Sequence, residues 1–500
     1  MGIIKKQSTY SLIILYAGVI IGFIGTALIR PKILSEGEIG LLQIILNTTA
    51  MFSGIFTLGA NFTTLRMFPI FQSEKDNNRG LFSLVLLIGI MGALIMIPVF
   101  LATEFFFFEN KEGESLEEFA YTNNFYLGVI LVIIARLFQN ILDGYLRANK
   151  VSTLGIFSDS IILKVFPIIG LALYYFEWID FVGLIYFNMS IFILPLVLSF
   201  VFLKKLKIFH LSAPGPFSKE ERKEMRGVSM VGLFEIISAG IILYVDTIML
   251  QWLIGEEAVG VYSTLFFFGL VVGIPARGLT RVAIVIIAEA FAKKEMSEIQ
   301  AIYKKSSEVL MVVAGYVFLM IWGNRYSVEQ YLGEPFSGAI WVIFFIGLAQ
   351  FTDVIASVNY QIIAVSRYYY FNVILSVISV VLLVLTDYWF ITEIGIVGAA
   401  LGSLVSVFVI NLVRFIFLKS RYGLSPFSLK TLKSMSVFLG VLALSGFLPD
   451  LENLYLNLFW KGGIITLSFI PLVYVLKCSE DVNTVINNVF RKVFRVISGN

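Results

Sequence analysis

Apolar runs of about 20 residues or more recur along this chain, separated by short polar connections. A helix rising 1.5 Å per residue needs about 20 such residues to cross a bilayer. The pattern predicts fourteen crossings, at roughly 8–30, 39–65, 81–103, 123–146, 151–175, 181–203, 227–253, 258–288, 307–326, 337–363, 369–390, 395–418, 433–449 and 457–476. The connections leave no room for an inserted soluble domain. The tail 480–500 has another rhythm. Val482, Val485, Ile486, Val489, Phe490, Val493 and Phe494 recur at helical spacing among polar residues. That predicts a short amphipathic helix on the membrane surface.

The pattern repeats. Glu38-Ile39-Gly40-Leu41 opens span two as Ala258-Val259-Gly260-Val261 opens span eight, 220 residues later. Val182-Gly183 at span six matches Val397-Gly398 at span twelve, 215 later, and Leu203-Lys204-Lys205 matches Leu418-Lys419-Ser420 at the same offset. Six spans therefore repeat in one orientation, as in transporters built from parallel repeats. The expected domains are an N-lobe over 1–203 and a basic linker over 204–226. A C-lobe follows over 227–420, then spans thirteen and fourteen over 421–477 and the amphipathic tail over 478–500.

Composition agrees with the spans. The chain is 58% hydrophobic and only 14% charged, too little polar surface for a soluble protein of 500 residues. Lys5 and Lys6 precede an apolar run with no small-residue cleavage site, so the run reads as a first span. Lysine and arginine set the orientation. With the N-terminus in the cytoplasm, cytoplasmic segments carry 27 of the 37 and the opposite side 5, namely Arg30, Lys32, Lys111, Arg325 and Lys461; the other 5 lie within spans. The 104–122 connection holds six glutamates against Lys111 and falls outside. All six tryptophans (Trp178, Trp252, Trp322, Trp341, Trp389, Trp460) fall near the external ends. An even count puts both termini in the cytoplasm. Cys478 is the only cysteine and His210, in a basic loop, the only histidine. There is no GK[ST] phosphate loop, no HExxH and no CxxC. Nothing points to a resident metal, a cofactor or a nucleic-acid partner.

Ten ionisable side chains fall inside apolar runs: Arg136, Asp143, Asp159, Lys164, Glu235, Asp246, Arg277, Arg281, Asp353 and Arg414. A charge at the bilayer centre costs about 2.5–3.5 kcal/mol on insertion scales, so such groups face water or a partner. Glu235 and Asp246 are three turns apart on span seven and share a face, as do Arg277 and Arg281 on span eight. Pro275, between Gly273 and Gly278, is expected to kink span eight just before these arginines. One reading is internal pairing across helices; Arg281, Asp143 and Arg414 near cytoplasmic ends can also snorkel. The functional reading is a polar path for an anionic group. Arg277, Arg281, Arg136 and Lys164 are the candidates to hold a pyrophosphate, since a guanidinium fork donates two hydrogen bonds and stays charged. Asp246, Glu235, Asp353 and Asp159 are the candidates to bind a coupling Na⁺ or H⁺.

Three stretches resemble the oligosaccharide flippases of polysaccharide biosynthesis. These are the Wzx-like branch of the multidrug/oligosaccharidyl-lipid/polysaccharide (MOP) exporter superfamily. They are 28–41 (LIRPKILSEGEIGL), 245–262 (VDTIMLQWLIGEEAVGVY) and 394–403 (IGIVGAALGS). The chain departs from the pattern at Leu41 and Leu42, where the family often places an aromatic. The resemblance implies an all-α polytopic fold of about fourteen spans, with two six-helix lobes around a central cavity. It also implies alternating access that carries a polyprenyl-pyrophosphate-linked oligosaccharide to the outer leaflet of the bacterial cytoplasmic membrane, near other polysaccharide-assembly proteins. Cavity arginines for the pyrophosphate and acids for ion coupling carry over to Arg277, Arg136, Asp246 and Glu235. Two other classes remain open. A MATE-like cation-coupled multidrug exporter would favour a cavity dominated by acids. A membrane enzyme of polysaccharide assembly would be expected to show an intramembrane histidine or a large external catalytic loop.

Overall fold

The computed structural model describes residues 2–72, 77–108, 125–151 and 153–497, and every regular element among them is helical. Residues 109–124 of the acidic connection lie outside the described residues. Thirteen helices are long and apolar enough to cross a membrane. The fourteenth span is a bent pair, Trp341–Ala356 and Asn359–Val365, meeting at 48°. All fourteen expected spans are thus accounted for. Their boundaries differ where a helix projects beyond its apolar run. Span seven starts at Lys219, eight residues before its apolar stretch, because Ser218 and Glu221 form a reciprocal capping box that satisfies the first free N–H groups. A hydropathy window cannot see those polar first turns. Span nine also starts early, at Met296, without a side-chain cap.

Several spans are interrupted. Span one passes from Gly2–Phe23 into a π-helical stretch, Ile24–Ile29. Span five has another, Ser158–Ile162, between Thr153–Phe157 and Leu163–Tyr175. Span two breaks between Glu36–Ile55 and Ala60–Phe71, where Leu58 and Gly59 take positive φ. Span eight runs as Glu256–Leu270, a 3₁₀ turn Val271–Gly273, then Ile274–Lys293. The kink expected at Pro275 therefore falls just before it. Pro275 occupies the first turn of the next helix, where it has no intrahelical N–H to lose.

Contacts group the chain into two compact units, Met1–Ser263 and Thr264–Asn500. In the first, span four packs against spans two, three and six, span seven lies along both halves of span two, and span one lies on span five. The repeated motifs meet inside this unit. A Cβ on Gly40 would run into the Glu256 carbonyl, and one on Gly260 into the Glu36 carbonyl. Glu36 and Glu256 keep the 220-residue offset, so the contact is reciprocal, as across a two-fold axis. Helices in lipid gain little from apolar burial alone, so small residues that let backbones approach decide such contacts. The segment entering span seven is clasped by Arg79. It donates to both Glu221 carboxylate oxygens (2.7 and 3.1 Å) and to the Pro216 carbonyl (2.8 Å), with its guanidinium 4.7 Å from the Phe71 ring centre.

In the second unit, spans nine, ten, thirteen and fourteen share one core. The Phe438 ring stacks on Phe351 at 4.5 Å and meets Phe318 edge-on at 5.5 Å, with Ile465 and Phe469 of span fourteen alongside. Spans eleven and twelve form a hairpin through Gly395, at φ 64°. A final helix covers Glu480–Ile497, where the tail's periodicity expects one. Its Glu480 accepts from Lys430 at 2.6 Å.

Candidate functional site: polar clusters inside the spans

The first cluster sits on the π-helical turn of span five. A π-turn holds one extra residue and often marks a functional position. Here it carries Asp159, which accepts from the Arg136 guanidinium of span four at 2.8 Å. Arg136 also donates to Gln139. The pair is lopsided: the Arg136 side chain is 15% exposed and that of Asp159 is 51%. A half-exposed aspartate side chain inside a span is costly against lipid. Tyr244 of span seven lies within electrostatic reach of both. Asp143, one turn pair beyond Arg136, is paired with Arg147 at 3.0 Å. The stem of Lys164 lies against Gly22 of span one. The structure thus joins one expected phosphate ligand, Arg136, to one expected ion ligand, Asp159.

A second cluster in the same unit begins at a residue that sequence reasoning placed among the external rim charges. Arg30 is buried, and its hydrogen bonds go to neutral oxygens: Gln43 Oε1 at 3.2 Å and the Ile39 carbonyl at 3.4 Å. Gln43 donates to Asn47 and Asn47 to Thr247 of span seven, each at 2.8 Å. The residue before it, Asp246, is buried and accepts from the Tyr262 hydroxyl. Glu235, expected on the same face of span seven, is exposed instead. The shared face holds by angle, but the packing around Asp246 does not extend to Glu235. The signal for Arg30 was present: an arginine just inside the predicted end of span one, followed by a proline.

In the second unit, Asp353 lies beside the bend of span ten. Asn411 of span twelve donates to its carboxylate at 3.0 Å and accepts from Asn359, just past the bend, at 2.8 Å. Those bonds tie both sides of the break to span twelve. Arg414, one turn further on, is in electrostatic reach of Asp353 and lies over the Tyr360 ring at 5.3 Å. Arg277 is exposed on span eight, four residues past the 3₁₀ turn. Arg281 follows one helical turn later, and its side chain lies outside the described residues. Another intramembrane charge escaped the sequence reading. Asp387 of span eleven is fully buried, in space left by Gly402 of span twelve, where a Cβ would meet its carboxylate. Glu308, in the expected range of span nine, is a further one; it accepts from Ser428 at 2.7 Å. His210 is exposed, and its ring Nε2 is bonded to the Lys207 carbonyl at 2.8 Å. Among the described residues no group of three or more metal-ligating side chains converges.

Thirteen apolar spans and a bent pair that makes up the fourteenth, several of them interrupted, define a multi-pass membrane protein. Its fold is that of the MOP superfamily. The lipid II flippase MurJ in an inward closed conformation aligns with a TM-score of 0.69 at 14% identity, covering 92% of this chain and 98% of that one. An inward-facing multidrug resistance MATE family transporter of the MOP superfamily aligns at 0.61 with 15% identity, over 83% and 94%. A MOP superfamily transporter from Pyrococcus furiosus Vc1, described as having a binding pocket of reversed polarity, aligns at 0.55 with 15% identity, over 84% and 96%. No curated protein matches the sequence. The chain belongs to the polysaccharide biosynthesis protein family, whose model matches residues 4–275.

Proposed function

We propose that this protein is a flippase. It carries a polyprenyl-pyrophosphate-linked oligosaccharide, a repeat unit of a surface polysaccharide such as O-antigen or exopolysaccharide, from the cytoplasmic to the outer leaflet of the bacterial cytoplasmic membrane. Both termini lie in the cytoplasm, and other polysaccharide-assembly proteins supply and consume the cargo. Movement is by alternating access, coupled to Na⁺, H⁺ or the membrane potential. The observation that carries the reading is Arg277: an always-charged guanidinium, exposed within an apolar span one helical turn after a 3₁₀ break. Lipid does not accommodate such a group cheaply, whereas a pyrophosphate fits its fork. Arg281, Arg136 and Lys164 are the further anion ligands in this reading. Asp246, Glu235, Asp353 and Asp159 are the ion-coupling groups.

Arg277→Ala is expected to abolish export of the glycan while the protein remains inserted and abundant. Arg277→Lys keeps the charge without the fork and retains part of the activity. A second reading, a cation-coupled drug exporter, draws on the buried acids Asp246 and Asp387. It is favoured if Arg277→Ala is silent while Asp246→Asn stops efflux of a cationic dye.

A further inference from the structure

The turn between spans ten and eleven reads Ser366-Arg367-Tyr368-Tyr369-Tyr370-Phe371. It meets the last turn of span twelve, which carries Lys419, Arg421 and Tyr422. Tyr368 is the centre of the contact. Its ring meets Phe417 edge-on at 5.5 Å and Tyr422 at 6.1 Å. Phe371 stacks on Phe417 at 4.1 Å. Two guanidinium groups attach to the same ring. The Arg367 carbon lies 4.8 Å from the Tyr368 centroid and the Arg421 carbon 5.9 Å, and Arg367 donates to the Tyr368 hydroxyl at 2.8 Å. Neither arginine forms an ion pair with a described carboxylate. Both are exposed, as are Lys419, Tyr369 and Tyr370.

Internal packing accounts for only part of this. Arg421 in the last turn of a helix complements the helix dipole, but Arg367 lies in a turn and has no such partner. A cation over an exposed ring gains about 0.5–1 kcal/mol, enough to orient each guanidinium while leaving its charge uncompensated. The result is two fixed positive charges sharing one aromatic support, with two exposed tyrosines next in the chain. The group sits at the ends of membrane spans, where aromatic rings lie at headgroup depth. An anion held by both forks would turn mutual repulsion into attraction. We propose that Arg367 and Arg421, on the Tyr368 ring, form a binding site for the phosphate of an anionic phospholipid in the adjacent leaflet, with Tyr369 and Tyr370 flanking the headgroup. The proposal rests on the membrane-spanning fold and is independent of the cargo.

The test uses the full-length protein in neutral detergent. Binding of phosphatidylglycerol and of phosphatidylcholine with the same acyl chains is compared by native mass spectrometry. The expected result is tighter binding of phosphatidylglycerol. The Arg367→Gln/Arg421→Gln pair should weaken it by about fivefold per arginine and about twenty-five-fold together, with phosphatidylcholine unchanged. The Arg367→Lys/Arg421→Lys pair should keep part of the preference. Because both side chains are exposed, the variants should elute as the parent does on size exclusion. Equal binding of both lipids by the parent would overturn the site. So would an unchanged preference in the Gln pair, or displacement of the lipid by millimolar inorganic phosphate, which would mark a free-phosphate site.

Discussion

At the residue scale, the charges inside the spans divide by what each one touches. Lys461 shows the difference. By sequence it counts with the external rim, but it is 1% exposed and paired with Asp450, which is 36% exposed. A buried ammonium costs most when its partner alone is removed. Asp450→Asn should therefore destabilise the folded protein by up to about 3 kcal/mol, reduced by the screening of a partly exposed partner, and read as a clearly lower thermal midpoint in detergent. Lys461→Met, which removes the charge itself, should cost less. Equal losses would mean that the pair has no such asymmetry. Intramembrane charges were legible because an ionisable group in an apolar run stands out. Their partners were not, since Arg136–Asp159 and Asn411–Asp353 join residues far apart in sequence. Asp387 was missed because it lies beside Tyr388 and Trp389, near the predicted end of its span, and reads as interfacial. The helix in fact runs on to Ile394.

At the element scale, the repeat is the feature that the sequence shows best and the packing explains. Gly40 and Gly260 are each other's counterparts by offset and by contact. Gly40→Ala and Gly260→Ala should therefore be similarly damaging, at about 1–3 kcal/mol each for forced overpacking, read as reduced folded yield on size exclusion. A large loss at one and none at the other would contradict the reciprocal contact. The breaks in spans were less legible. Only Pro275 announced one; the π-turns and the bend after Ala356 were not read from the sequence.

The C-terminal helix, Glu480–Ile497, offers a pH test at the same scale. Lys430 donates to Glu480 and holds its carboxyl below the ordinary value of 4.5. A depressed carboxyl contributes above its unfolded pKa and loses that contribution as the pH falls through the folded one. The tether should thus be intact at neutral pH and weaken only in acid below the ordinary glutamate range. Hydrogen exchange at the start of that helix should rise there, and Glu480→Gln should remove the pH dependence. A rise near neutral pH would place the tether elsewhere.

At the scale of the whole molecule, the central claim is that this fold moves a lipid-linked glycan. Span count and family were readable from hydropathy and three loose motifs. The cargo was not, because sugar recognition uses scattered weak hydrogen bonds with no spacing rule. The direct measurement is deletion in the native host, followed by extraction of lipid-linked glycans with the inner leaflet probed separately. The account predicts a full-length lipid-linked repeat unit accumulating on the cytoplasmic side, with loss of surface polysaccharide. Normal glycan lipids, together with new sensitivity to cationic dyes, would contradict it and return the arginines to structural pairing.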